Sequence, residues 1–490
     1  MTTNTEDCAD TVRAPASPSP SPSSSSSLRP DAALSLQATP TVLESFSDDV
    51  GSLWCPSSPT ASPRIDVLDE LPDPDEFHRR YVAKSIPCLI RCPLPLHLAV
   101  DDVVGLAAAR CSVNGQDDDS DDDGDNDDAD AADDDDVLVT VDVTPDGHGD
   151  CIRTVVVHGE KEGQSGSTIK RMFVKPQEER MTLQEFRQRL RSQPRPSEAT
   201  CADSEAGQEA VSPPTTRVRS PQPTQADSDG LTVYPVCQHQ QADEDENDRQ
   251  DPDESVGVVY YSHQNDCLRQ ELPCLWNDRH QQLFPTTWAF AEEGFGTGPP
   301  EAINLWMGNE RSVSSMHKDH YENIFWVLSG EKVFHLCPPA DAPFLYLEEV
   351  ETGSFQQQSR LRAQEQEEEQ STKERQSTTN TSDSQWTVVP DVDDTASTNS
   401  PTVQWIAADV TKKDDPNYLR RFPLLRHTHP IEVRVPAGFM LYLPSLWFHR
   451  VTQSCETVGV NYWYPMAFDS PLWCYFNLLQ QLKVIPTRTN

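Results

Sequence analysis

The chain has 490 residues, with 80 acidic against 39 basic side chains and a formal net charge of −41. Contacts to phosphate need Lys and Arg, so this balance argues against nucleic acid as a direct partner and favours a basic protein. A globular body rarely carries so much charge, so the excess belongs in segments that do not fold.

Composition marks those segments. Residues 1–60 are rich in Ser, Pro and Thr and include "SPSPSPSSSSS", which reads as a disordered N-terminal tail. Residues 116–136 are nearly all acidic, with fourteen Asp between Asp117 and Asp136 and no positive charge. Residues 196–253 and 351–400 are polar and low in complexity. None of these has the apolar content to offset chain entropy. What remains is a single domain over 62–485, interrupted by insertions 116–136, 196–253 and 351–400. The first residues lack a charged stretch followed by an apolar core, so no signal peptide is expected. No run approaches the ~20 apolar residues of a membrane span. The 13 cysteines form no C-x-x-C pair, against a disulfide framework or a structural zinc cluster. A cytoplasmic or nuclear setting is expected.

In chain order, Asp73-Pro74-Asp75 starts a helix whose apolar stripe is Phe77, Tyr81 and Val82, and "PCLIRC" follows as a buried strand. "VDDVVGLAAAR" is helix-like. "VLVTVDVTPDG" alternates as a strand and ends in a Pro-Asp-Gly turn. "IKRMFVKP" is a strand, and "MTLQEFRQRLRS" a helix capped by Thr182 with Glu185 three residues on. "VGVVYYS" and "AINLWMG" are strands, and "SMHKDHYENIFWVLSGEKVFHL" is β-rich and turns at Ser329-Gly330. "IEVRVPAGFMLYLPSLWFHRVTQSCETVGVNYWY" is three or four strands broken by Pro-Ala-Gly and Leu-Pro-Ser. A terminal helix, "PLWCYFNLLQQLKVI", presents Trp473, Phe476, Leu479 and Leu482 at helical spacing. Many short strands with flanking helices indicate a mainly β barrel or sandwich.

Within this frame His317 and Asp319 are two residues apart, so on a strand they share a face, with Asn323 and Phe325 in the same parity and His320 pointing away. One imidazole and one carboxylate make two thirds of a 2-His-1-carboxylate triad, which leaves adjacent positions open on Fe(II). His449 is the third candidate. Gly438, Pro444 and His449 have the spacing G-x5-P-x4-H of the second cupin pattern, with Leu446 where many cupins have Gly. An H-x-D triplet alone is weak, and a lone His after "LWF" reads as a barrel-rim residue. Together, in order and in apolar β context, they point to a metal. Zinc also suits these donors. Lys332 lies just past the turn, and a buried Lys there would need an anion, such as a co-substrate carboxylate.

At this point the sequence resembles the JmjC (jumonji-type) 2-oxoglutarate oxygenases, and among them the JmjC domain-containing protein 7 group. "HKDHYEN…VLSGEK", "LYLPSLWFH", "VNYWY", "PCLIR", "VTPDG" and "MTLQEF" carry the likeness across all the folded pieces and none of the insertions. The resemblance implies a double-stranded β-helix (cupin-like jelly roll) with Fe(II) on His317, Asp319 and His449 as the catalytic centre. It implies that Lys332 pairs with the distal carboxylate of 2-oxoglutarate, with further co-substrate contacts at Tyr260, Ser314, Asn323 and Asn461. Ser314 departs from the usual threonine but keeps its hydroxyl, and Tyr260 is placed ahead of Tyr261 by its spacing to "ELP". The group's activity is O2-dependent lysyl hydroxylation of GTP-binding proteins of the developmentally regulated type. The terminal helix resembles the dimerisation region of related hydroxylases.

Two other readings compete. One is JmjC histone lysine demethylation, which lacks support from any zinc-finger reader pattern. The other is a non-catalytic interaction scaffold, against which the intact ligand set weighs. No H-E-x-x-H motif supports peptidase chemistry. The acidic insertion generates a test. Deleting 117–136 is expected to leave the melting temperature unchanged, since loop closure depends only logarithmically on length. If the run steers a Lys-rich substrate, its loss lowers kcat/KM at low ionic strength and not at high salt, where the Debye length is short. Equal loss at all salt concentrations would show a structural role instead.

Overall fold

The computed structural model describes residues 37–38, 40–54, 65–114, 137–161, 164–193, 233–236, 257–276, 283–357, 386–391, 401–481 and 483–484. The acidic insertion 116–136, most of 196–253, residues 358–385 and 392–400, and Leu482 lie outside the described residues.

Eight strands build a barrel: β1 (Ala302–Gly308), β2 (Val313–His317), β3 (Tyr321–Ser329), β4 (Glu331–Cys337), β5 (Ile431–Pro436), β6 (Phe439–Leu443), β7 (Phe448–Gln453) and β8 (Thr457–Pro465). One sheet runs β1-β8-β3-β6 and is extended by Cys88–Arg91 and Asp66–Leu68; the other runs β5-β4-β7-β2 and is extended by His148–Gly149. All neighbours among the eight are antiparallel. Apart from the step from β4 to β5, successive strands thus alternate between two facing sheets, which is a double-stranded β-helix. The hairpin from β3 to β4 turns at Gly330, where φ is +74° and a Cβ would sit 2.4 Å from the Glu456 carbonyl oxygen. Only glycine fits there.

Side-chain alternation sorts the barrel. In β5, Ile431, Val433 and Val435 are buried while Glu432 and Arg434 are exposed. The buried set joins Phe325, Val327, Phe334, Leu336, Leu441 and Leu443 in one cluster between the sheets. Burying each such side chain contributes roughly 1.5–3 kcal/mol. A larger cluster covers the outer face of the first sheet. There the helix Pro74–Arg80, capped by Asp73 and started by Pro74, buries Phe77. Thr182 accepts from the Glu185 amide at 3.0 Å and caps the helix Leu183–Ser192. The strand Leu138–Thr144 pairs with both Gln177–Thr182 and Val258–Tyr260, which carries Tyr260 to the barrel wall.

The structure departs from the sequence reading in two places. Residues 40–54, expected within a disordered tail, form a helix, Pro40–Trp54. It buries Val50 and Ser47, and the Ser47 hydroxyl donates to the His427 carbonyl at 3.1 Å. Val42, Leu43, Phe46, Val50 and Leu53 have helical spacing, which the surrounding Ser and Pro mask in a compositional window. The insertion bounds of 351–400 also cut into structure. Leu347–Gln357 and Trp386–Pro390 are paired strands of a further six-stranded sheet with Cys151–Lys161, Gln164–Lys175, Thr402–Ile406 and Val233–Val236, the last from within 196–253. "ETGSFQQ" reads as polar, but alternation buries Phe355 edge-on to Trp386, 6.0 Å between rings.

The terminal helix spans Pro471–Gln481. Phe476 and Leu479 pack on the outer face of the second barrel sheet with Met316, Leu446 and Phe448. Phe468, Tyr475 and Leu478 remain exposed. Among the described residues no helix is long and apolar enough to cross a membrane.

Candidate active site

His317 is the last residue of β2, and the register slips between Ser314 and His317. Residues 318–320 leave the strand before β3 begins at Tyr321. The i, i+2 strand parity expected for His317 and Asp319 is therefore not what aligns them. Asp319 sits on the connection and is turned inward there. His449, the second residue of β7, lies directly across the ladder from His317. One ligand atom from each of His317, Asp319 and His449 falls within 4.8 Å of the others. The two imidazole centroids are 4.2 Å apart, and His449 Nε2 is 3.4 Å from Asp319 Oδ2.

Both imidazoles are held by their Nδ1 atoms. His317 Nδ1 is 2.6 Å from the Ser315 carbonyl and His449 Nδ1 is 3.0 Å from the Trp447 carbonyl. A carbonyl only accepts, so each Nδ1 carries the proton and each Nε2 keeps a free lone pair for a metal. Protonation fits the same end. Burial, then repulsion from His449, lowers the His317 pKa to about 4. Burial would raise Asp319, but its contacts with the His449 and His317 rings outweigh burial and hold it at about 2. Two neutral imidazoles and one carboxylate are the donor set that a divalent cation requires.

The turn before β7 explains how residues so distant in sequence meet. Gly438, at φ +82°, opens β6, and Pro444 closes it. Leu446 then takes a left-handed conformation at φ +67°, which is why many cupins have Gly there. The Leu446 amide donates to the Asp319 carbonyl at 3.0 Å. From β3, the half-buried Glu322 carboxylate accepts from Ser445 Oγ at 2.7 Å and Tyr442 Oη at 2.8 Å. These bonds fasten the Asp319 connection to the segment that delivers His449.

A cavity beside the three ligands is lined by Tyr260, Ser314, Asn323, Lys332 and Asn461. Lys332 is fully buried, and its Nζ donates to Tyr260 Oη at 2.7 Å and lies 5.0–5.8 Å from the rings of Tyr260, Trp306 and Phe325. Burial alone lowers its pKa to about 7. The Asn323 side-chain oxygen is buried without a partner, while that of Asn461 accepts from Asn304 and from Trp306 Nε1 at 3.0 Å. Tyr261 faces away, with its hydroxyl 3.1 Å from Glu271. A buried ammonium lacking a carboxylate, beside a cation site, fits a dicarboxylate that chelates a metal at one end. The residues present therefore fit Fe(II) with 2-oxoglutarate. Sequence reasoning missed Ser315, whose carbonyl orients His317, and the aromatic residues Trp306, Trp405 and Trp463. Trp306 lies in the apolar run "AINLWMG", which carries no chemical signature.

Barrel and cluster together have the form of a cupin with a candidate metal site. The chain belongs to the cupin-like domain family, whose model matches residues 74–470. It is similar to JmjC domain-containing protein E of Dictyostelium discoideum, 35% identical over 46% of this chain and 58% of that protein. A Homo sapiens protein named as a bifunctional peptidase and (3S)-lysyl hydroxylase is 35% identical over 46% of this chain and 59% of its own length. A lysine-specific demethylase of Arabidopsis thaliana is 35% identical over 46% and 57%. The chain spans about half the length of the curated relatives it matches.

Lys332 yields a test by titration. A lost charge-assisted hydrogen bond is worth about 1.5–3 kcal/mol, so Lys332→Ala should weaken 2-oxoglutarate binding roughly ten- to a hundredfold and leave metal binding little changed. The free protein holds this ammonium only up to pH about 7. An anion bound beside it favours the charged form, so binding above that pH takes up a proton and affinity falls as pH rises. Calorimetry showing neither effect would place the co-substrate elsewhere.

Proposed function

We propose that the chain is an Fe(II)- and 2-oxoglutarate-dependent protein hydroxylase acting on lysine. The convergence of His317, Asp319 and His449 beside the buried Lys332 carries this reading. Fe(II) with 2-oxoglutarate and O2 supplies an oxidant that turns an unactivated C–H bond into C–OH, with succinate and CO2 as co-products. The chain's own residues do the rest. His317, Asp319 and His449 would hold the metal, and three protein ligands would leave positions for co-substrate and O2. Lys332 and the Tyr260 hydroxyl would anchor the far carboxylate of 2-oxoglutarate, with Ser314 and Asn323 lining the same cavity and Asn461 aligned by Trp306. The apolar barrel interior excludes water from the reacting centre.

A lysyl substrate is supported by the human relative's name and by the chain's acidity, which suits a Lys-rich partner. GTP-binding proteins of the developmentally regulated type are the substrate class we favour, in the cytoplasm or nucleus. The Arabidopsis relative's name supports demethylation of lysine as the second reading. The two differ in product: hydroxylation adds one oxygen to the peptide, whereas demethylation releases formaldehyde. The terminal helix, with Phe468, Tyr475 and Leu478 exposed beside it, supports a homodimer. Light scattering that finds a monomer at micromolar concentration would remove that part of the proposal.

Single variants His317→Ala, Asp319→Ala and His449→Ala should each abolish substrate-dependent succinate release, with melting temperature close to wild type. Purified protein carrying stoichiometric zinc and gaining no turnover from Fe(II) would overturn the oxygenase reading.

A further inference from the structure

The six-stranded sheet reaches the candidate metal site through Trp405. Trp405, in the strand Thr402–Ile406, lays its indole parallel to the His317 imidazole, with 5° between planes and 5.8 Å between centroids. That separation is an offset stack. Phe173 of the strand Gln164–Lys175, which lies beyond Leu347–Gln357 in that sheet, packs against the same indole at 4.5 Å. Trp405 Nε1 donates to Ser315 Oγ at 3.0 Å, and Ser315 Oγ in turn donates to the Asp150 carbonyl. The Ser315 hydroxyl thus spends its proton and a lone pair on two elements outside the barrel. Its own carbonyl is the acceptor that holds His317 Nδ1.

His317 needs such support. It ends a slipped strand, and the three residues after it are not in a strand. The terminal torsion of a histidine is broad. One hydrogen bond at Nδ1 fixes where that nitrogen points but leaves the ring plane free to tilt about it. A parallel ring removes that tilt. His449 has no such need, because it lies within β7 and is buried.

We propose that Trp405 is a positioning residue for the metal centre: it sets the plane of the His317 ring by stacking and secures the Ser315 peptide by its N–H. The inference rests on His317 being a metal ligand, as proposed above. It assigns the six-stranded sheet a part in the chemistry, since Trp405 reaches His317 only because its strand pairs with Leu347–Gln357 on that sheet's edge.

The test is an anaerobic Co(II) titration of the full chain, followed by its visible absorption, which reports ligand geometry without turnover. Trp405→Leu should weaken Co(II) binding about ten- to a hundredfold, the range for residues that orient a metal ligand, and alter the absorption bands. Trp405→Phe keeps the stack and loses the N–H, so it should recover most of the affinity and bands. Ser315→Ala should resemble Trp405→Phe, with a loss of about two- to tenfold, and combining the two should add nothing. Trp386→Leu, in the core of the same sheet, controls for loss of sheet stability. Wild-type affinity and bands in Trp405→Leu would overturn the proposal. So would an equal Co(II) defect in Trp386→Leu at a matched drop in melting temperature. Failure of the parent reading looks different: wild-type protein would bind no Co(II), or His317→Ala would bind it as wild type does, and either result overturns both.

Discussion

The clamp between the Asp319 connection and the Pro444–Trp447 turn is the constraint on which the site depends. His317 and His449 lie on neighbouring strands of one barrel sheet that are far apart in sequence, and barrel packing alone would leave the connections beside them as ordinary rim loops. The backbone bond from Leu446 to Asp319 and the half-buried Glu322 carboxylate make them one piece. Burial raises the Glu322 pKa, and hydrogen bonds from Ser445 and Tyr442 oppose that rise. A partnered half-buried carboxylate is stable in place, and removing any of its donors leaves an acceptor to be desolvated for nothing. Trp447 extends the same fastening outward, its Nε1 donating to the Ser85 carbonyl at 2.8 Å.

The other end of the cavity is organised by a different tension. Lys332 lies in a cage of aromatic rings with one phenol as its hydrogen-bond partner. Such a group is costly in the free protein, which is what its lowered pKa expresses. The protein therefore stores an unmet demand for negative charge at Lys332, in the same cavity as a demand for positive charge at His317, Asp319 and His449. A ligand satisfying both must carry a carboxylate at a set distance from a chelating group. The spacing of the two demands selects length as well as charge.

Much of this was legible in the sequence, and the failures have identifiable causes. His317, Asp319, His449 and Lys332 stood out because polar residues interrupt apolar β runs, where burial demands a reason. Caps at Asp73 and Thr182 were readable because capping is local. The helix Pro40–Trp54 was hidden by composition, since Ser and Pro around it outweigh five apolar positions. The strand Leu347–Gln357 was hidden because its neighbours are distant in sequence and its own residues are mostly polar. Parity put His317 and Asp319 on one strand face, and the slipped register shows that a loop does that work. Trp405 was not legible at all: a tryptophan in a strand reads as core until its partner is known.

Leu446 shows two levels of preference in open conflict. Its backbone asks for glycine, with a penalty of about 1–2 kcal/mol for any other residue. Its side chain is fully buried among Met316, Phe448, Phe476 and Leu479, and truncating such a leucine even to alanine costs about 2–5 kcal/mol. Packing wins, so the strained backbone persists. A mutational path from leucine to glycine here must first cross a poorly filled interior, and glycine becomes acceptable only once the terminal helix has been reshaped to fill the gap. The identity of a residue in the turn that delivers a ligand is thus tied to a helix on the far side of the sheet, and the two are expected to change together or not at all.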